Sequence, residues 1–226
     1  MKTVAGLAEL GIRPASALSA DRDGHAANRL PVTATLRDIL PGGLPRGSTT
    51  TITSAGSGAS SLLLALLAAP TKAGAWCAIV GMPTLSLAAA MTIGVDLEHI
   101  ALIPDPGPDL ATVVATLLDG FDLVAVAPAS PLTAALCSQL SARARATDAA
   151  LVSMTTWTGA SMTLTAEGGT WYGRRRLRCR QLSVTVTGRG GAGRPRRTQV
   201  WLPEDLQFQA TLPAADQPRR RLQVVR

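Results

Sequence analysis

The sequence predicts an α/β fold: a mostly parallel sheet with helices on both faces, carrying an antiparallel extension at its C-terminal end. Three observations predict it. Between residues 49 and 154, apolar runs of strand length alternate with helical patterns. Those runs are apolar at consecutive positions, as strands buried on both faces must be. After residue 160 the pattern changes to apolar–polar alternation, which marks strands covered on one face only.

The elements follow in order. Residues 1–30 read as an arm and linker, with "MKTVAGLAELGI" suited to a short helix and "ALSADRDGHAANRLP" to a linker. "LRDILPGGLPRGSTTTI", Leu36 to Ile52, is a loop punctuated by Pro and Gly that feeds a strand. Thr49–Thr53 is that strand, and Ala59–Ala69 is the helix after it. Ala75–Val80 is a strand. Thr84 is placed to cap a helix over Leu85–Ile93. His99–Ile103 is a short strand, and Asp109 caps a helix reaching Asp119. Asp122–Ala127 is a buried strand. Ser130 as cap and Pro131 as first residue open a helix to about Ala146. Ala149–Met154 is another strand. "SMTLTAEGGTWYG" then reads as a strand, a turn and a short strand. "RQLSVTVTGRGGAGRPRRTQVWLP" reads as two strands joined by the loop Gly188–Arg197. The expected division is an arm over 1–30, a domain over 31–202 and a basic tail over 203–226.

Composition bounds the function. Of 226 residues, 46% are apolar but only 3% aromatic, so Ala, Leu, Val and Ile must build the core. The longest apolar run, Leu62 to Ala69, is far short of the roughly 18 residues a membrane span needs. The N-terminus lacks the apolar stretch and cleavage site of a signal peptide. A cytoplasmic protein is expected, nucleoid-associated when engaged, with no membrane partner. Cys77, Cys137 and Cys179 are widely spaced, form no metal pattern and read as buried thiols. His25 and His99 belong to no triad or metal spacing. Asp105 and Asp109, in "PDPGPD", are explained by turn and capping roles. The charge of +7 is uneven: residues 171–226 hold 13 Arg and three acids. A near-neutral body thus carries a cationic C-terminal quarter, which points to nucleic acid or an acidic protein surface.

"SAGSGASSLLLALLAAP", Ser54 to Pro70, stands where a phosphate-binding loop is expected, between a strand and an apolar helix. Such a loop reads G-x-x-x-x-G-K-[ST], its lysine reaching the phosphates. Here Gly56, Ser57, Gly58, Ala59, Ser60 and Ser61 keep glycines and hydroxyls but put a methyl group at Ala59 in place of the ammonium. A bare structural turn accounts for this. Weak anion or nucleotide binding at the helix N-terminus is the alternative.

The order of these pieces resembles the core of the RecA family. "LPGGLPRG", Leu40 to Gly47, is similar to a phrase those proteins carry just before the phosphate loop. "GVDLEHI", Gly94 to Ile100, is similar to a second phrase. The resemblance covers about residues 36–202. The short length, degenerate loop and Arg-rich ending look most like the actinobacterial ImuA′ proteins, accessory factors of SOS mutagenesis. That resemblance implies a RecA-like fold and a partner role in DNA-damage tolerance. The implied partner is ImuB, an inactive relative of Y-family polymerases, and through it an error-prone DNA polymerase engaged in translesion synthesis.

Against that family, the chemistry of ATP hydrolysis is missing. Hydrolysis needs a cation on the phosphates, a carboxylate on Mg²⁺ and a carboxylate that positions water. The first position is Ala59. The second, at the end of "DLVAVA", is Ala127. The third falls in "GMPTLS", Gly81 to Ser86, which holds no acid. The chain is expected to be no enzyme and to hold no cofactor and no metal. The alternative is a nucleotide-sensing or weakly hydrolysing DNA-binding protein. The arm over 1–30, interrupted by Pro14, is expected not to build long filaments.

Partner or nucleic-acid contact is expected in the cationic quarter. "WYGRRRLRCR" sets Trp171 and Tyr172 beside Arg174, Arg175, Arg176, Arg178 and Arg180. The Gly188–Arg197 loop adds Arg189, Arg194, Arg196 and Arg197. Aromatics beside cations stack on bases and pair with phosphates. A solvated cationic face with Trp171 in the core explains the same residues, as does docking on an acidic protein. "TTWTGAS", Thr155 to Ser161, is too brief for a long DNA-binding loop.

Overall fold

The structure is a computed structural model, and it describes residues 28–172, 179–188 and 195–204. Chain order begins with β1 (Arg29–Leu30), a 3-10 turn (Ala34–Leu36) and β2 (Leu44–Pro45). Next come β3 (Thr49–Ala55), α1 (Ala59–Lys72), β4 (Cys77–Val80) and α2 (Leu87–Ile93). A 3-10 turn (Leu97–His99) leads into β5 (Ile100–Ile103), and another (Gly107–Asp109) into α3 (Leu110–Leu118). β6 (Leu123–Val126), α4 (Ala134–Thr147) and β7 (Ala150–Ser153) follow. The last described elements are β8 (Met162–Tyr172), β9 (Cys179–Gly188) and β10 (Arg196–Leu202).

Eight strands form one sheet in the order β10-β9-β8-β3-β7-β6-β4-β5. From β8 to β5 every pairing is parallel. β9 runs antiparallel to both β8 and β10. The fold is therefore mixed α/β, with a mostly parallel sheet and the antiparallel extension expected from the sequence.

The two halves of the sheet are covered differently, as their sequences require. β4, β6 and β7 are buried at every residue. Cys77 and Ile79 of β4 face α1 and α2, while Ala78 and Val80 face α3 and α4. In β9, Leu182, Val184 and Val186 are buried against the α1 side, but the intervening Ser183 and Thr185 are only partly covered. One apolar face per strand gives the alternating pattern. α1 is the central helix. Its Leu62, Leu63, Leu66 and Leu67 are fully buried, each stabilising the fold by roughly 1.5–3 kcal/mol through burial.

Several expectations are corrected. Arg29 and Leu30 are part of the body, because β1 pairs with β2 and Leu30 is buried. α1 runs through Pro70 to Lys72, where the Thr71 hydroxyl donates to the Leu67 carbonyl at 2.8 Å. α2 is capped by Ser86, whose Oγ accepts from Ala89 N, and not by Thr84. Asp109 precedes α3 without a side-chain cap, and Asp105 instead accepts from Gly107 N at 3.0 Å. α4 starts three residues later than Pro131, with Thr133 accepting from Leu136 N. Residues 162–172 form one long strand, not two. Gly168 and Gly169, both at positive φ, sit in a bulge between Glu167 and Thr170.

The N-terminal arm to residue 27, the tail from 205, and Arg174, Arg175, Arg176, Arg178, Arg189, Arg194 and His25 lie outside the described residues.

Candidate functional site

Parallel strands bring their C-terminal ends to one edge of a sheet, and that edge gathers the three positions examined for catalysis. β3 ends in the loop Gly56–Gly58, and Ala59 is the first residue of α1. Ala127 follows β6, and Gly81 to Ser86 follow β4. The loop needs its glycines. Gly58 has φ 124°, and a Cβ there would meet Leu182 Cδ2 at 2.9 Å. Gly81 has φ 78°, and a Cβ there would meet the Ala127 carbonyl oxygen at 2.4 Å. At this corner Gly81 N donates to Ile103 O and Ala127 N to Val80 O, each at 2.9 Å. Ala59, Ala127 and residues 81–86 bring alkyl, thioether, hydroxyl and backbone groups to this edge, and none of them is an acid or a cation. Ala59 packs against the hydrophobic core.

A cation nevertheless reaches the loop, from another element. Arg180 on β9 donates from Nη2 to Ser57 Oγ at 2.5 Å and to the Gly168 carbonyl at 3.3 Å. Its guanidinium lies 5.3 Å from the centre of the Trp171 ring, a cation–π distance. Arg180 is only 6% exposed, and its Nε is buried without a hydrogen-bond partner. Burial holds its pKa below the usual guanidinium value, and no carboxylate among the described residues offsets that. An arginine stays charged even so. The bulge at Gly168 and Gly169 makes the space: a Cβ on Gly169 would lie 2.5 Å from Arg180 Nε.

Next to Arg180 a cavity of about 390 Å³ opens between α1, residues 82–86, α2 and the ends of β8 and β10. Leu64, Leu85, Ala89, Trp171 and Leu202 supply apolar lining, and Ser60, Ser61, Thr84 and Thr92 supply hydroxyls. Arg180 is the one charged residue among the described residues that line it.

The predicted contact residues separate. Trp171 is 44% exposed and caps Arg180, so it is not a core tryptophan. Tyr172 packs against Trp201 at a ring separation of 5.1 Å. Arg196 and Arg197 are exposed on β10, where Arg197 pairs with Glu167 at 2.9 Å. Arg180, grouped by sequence with arginines that read as a partner or nucleic-acid contact or as a solvated face, is instead an interior residue. Its signal was the parity of β9, since it falls in step with Leu182, Val184 and Val186. The connection at residues 155–161 docks on the opposite face, with Trp157 buried and its Nε1 donating to Ser141 Oγ at 2.9 Å.

The remaining chemistry-bearing residues have structural partners. All three cysteines are buried. His99 Nδ1 lies 3.0 Å from Asp96 Oδ2, and its ring lies 5.2 Å from that of Trp76. Among the described residues no group of three or more His, Cys, Asp and Glu could hold a metal. None of the described helices is long and apolar enough to cross a membrane.

Comparison with known proteins matches residues 38–159, more than half of the chain, to the family described as the MT3502 N-terminal domain. The chain belongs to that family. It is also 42% identical over 134 residues to the uncharacterized protein Rv3395c of Mycobacterium tuberculosis. That match spans 57% of this chain and 64%, under two thirds, of the relative. The family match covers the loop and α1–α4. Trp171 and Arg180 lie beyond it.

Proposed function

We propose that this member of the MT3502 N-terminal-domain family is a non-catalytic, RecA-like adaptor in SOS-induced translesion synthesis. It binds an inactive Y-family polymerase relative of the ImuB type, and through it an error-prone DNA polymerase. The phrases at 40–47 and 94–100 support the RecA-like reading, together with the parallel sheet and its antiparallel extension. The observation that carries the adaptor reading is the state of the strand-end edge. Ala59, Ala127 and residues 81–86 offer neither phosphate cation nor carboxylate, and the loop's own Ser57 is already hydrogen-bonded to Arg180. Phosphoryl transfer relies on positioned cations and carboxylates. A fold that retains the loop without them serves as a scaffold.

Nucleotide sensing is the second reading, and Arg180 is the observation that favours it, because it brings a positive charge to the loop. Against it, that guanidinium is engaged with the loop itself.

The test is genetic and biochemical. Deletion is expected to abolish DNA-damage-induced mutagenesis and to sensitise cells to damage, and the purified chain is expected to bind the ImuB-type protein. Normal induced mutagenesis in the deletion strain, or Mg²⁺-dependent phosphate release from ATP that Gly58→Trp abolishes, would overturn the reading.

A further inference from the structure

Arg180 raises an electrostatic problem that the described residues leave unsolved. A buried charge is stable only when paired or fully hydrogen-bonded. Arg180 is 6% exposed, has two neutral acceptors on Nη2, and has no acceptor on Nε. Each ion pair of the described residues joins other groups. Among the described residues that line the cavity there is no acid, and the lining is mainly apolar. Its volume of about 390 Å³ falls within the roughly 300–1,000 Å³ of ligand pockets. What fits such a cavity has an apolar body and one anionic group.

We propose that this cavity is a docking site for a segment of a partner protein, which sets a carboxylate against Arg180 and an apolar side chain between α1 and α2. The inference rests on the adaptor reading and locates its contact. Charge complementarity selects the occupant. A carboxylate accepts a charge-assisted hydrogen bond from a guanidinium N–H, and Arg180 Nη1 is the nitrogen left to give it, since Nη2 is held by Ser57 and Gly168 and Nε is buried. Among the described lining residues Arg180 is the one cation, which favours a single carboxylate over a nucleic-acid strand, whose backbone is held by several cations along a groove. Trp171 and Arg180 are the kind of anchors that dominate interface energies. Trp171, Arg180, Leu202 and Pro203 thus contribute to a site whose other wall, at residues 60–93, lies inside the family-matched region.

The test measures binding of the full-length chain to purified ImuB-type protein. Ala89→Trp fills the cavity from an exposed position on α2. Arg180→Met removes the charge at similar length. Leu87→Ser alters an exposed residue of α2 outside the cavity lining. The first two are expected to weaken binding by at least about tenfold, the size of an interface anchor, and the third to change it less than about twofold. Thermal melting verifies folding. If Arg180→Met fails to fold, Ala89→Trp and a photo-crosslinker at position 89 still decide. The crosslinker is expected to capture a partner segment that contains Asp or Glu.

Wild-type affinity in Ala89→Trp, or crosslinks to a segment without an acid, overturns the docking proposal and leaves the adaptor reading standing. Loss of partner binding on addition of ATP or a single-stranded oligonucleotide, with Ala89→Trp abolishing the effect, assigns the cavity to a phosphate ligand and overturns the proposal too. Absence of any binding by the wild-type chain overturns the adaptor reading, and the docking site falls with it.

Discussion

Arg46 and Asp122, 76 residues apart in sequence, are joined by a 2.6 Å ion pair at the edge where the parallel strands begin. Arg46 also donates from Nε to the Asp148 carbonyl at 3.1 Å. Asp122 in turn accepts from Trp76 N at 2.9 Å through its other oxygen. One arginine, in the segment leading into β3, thereby fastens the starts of β6 and β7 and, through Asp122, the approach to β4. The pair is only partly exposed, so Arg46→Ala is expected to destabilise the fold by about 1–2 kcal/mol. Arg46→Lys should recover only part of this, because an ammonium lacks the planar fork. Urea unfolding of both variants measures it, and an unchanged midpoint for Arg46→Ala would show the clamp to be dispensable.

Two glycines make a paired prediction. Gly56 and Gly81 both have positive φ, but a Cβ at Gly56 meets nothing within 4 Å, whereas one at Gly81 meets the Ala127 carbonyl oxygen. Gly56→Ala should therefore cost only the backbone strain of its φ of 118°, about 1–3 kcal/mol. Gly81→Ala adds to its strain a clash with the Ala127 carbonyl oxygen and should cost more than Gly56→Ala, above about 3 kcal/mol. Equal losses in thermal or urea denaturation would mean that the β4–β6 corner relaxes freely.

Cys77 supplies a pH prediction. Burial, and then the neighbouring Asp122, push its thiol up to about 12 from an ordinary 9.0. The folded state holds this proton where the unfolded chain releases it. Its contribution to stability is therefore complete below pH 9 and is lost as pH rises from 9 toward 12. Stability should decline over that window, and Cys77→Ser should flatten the decline. Native protein at pH 8 should resist alkylation at Cys77 while the urea-unfolded chain reacts. Rapid native labelling at this residue would contradict the burial.

The basic quarter is expected to serve binding more than stability. Arg197 and Glu167 form an ion pair that is largely exposed on the extension, and exposed pairs contribute little. Replacing Arg174, Arg175, Arg194, Arg196 and Arg197 by Ser should leave the melting temperature within a few degrees and reduce partner or DNA binding. For single-stranded DNA, the log–log salt slope is expected near −0.7 per phosphate contact. An unfolded variant, or full binding with full mutagenesis, would rule the assignment out.

The parallel strands were legible because burial on both faces forces consecutive apolar residues, and β4, β6 and β7 obey this at every position. Helix starts were legible only to within a few residues. Ser86 and Thr133 make the capping bonds, but Thr84 and Ser130 offer the same oxygen chemistry nearby, and tertiary packing chooses between them. β1 and β2, two residues each, are too short to show a period. The bulge in β8 was hidden because two adjacent glycines look like a turn. Arg180 was the main omission at the candidate site. Its neighbours in sequence are arginines, so composition argued for solvent, whereas strand parity argued for the interior.

The grip of Arg180 on Ser57 also bears on what the loop can accept. A lysine placed at position 59 would enter a loop where a guanidinium is already seated, and like charges at close range repel. Ala127 and residues 81–86, which follow the neighbouring strand ends, offer no carboxylate to balance it. A nucleotide-handling loop at this position would thus demand several coordinated substitutions, including one on a strand more than a hundred residues away.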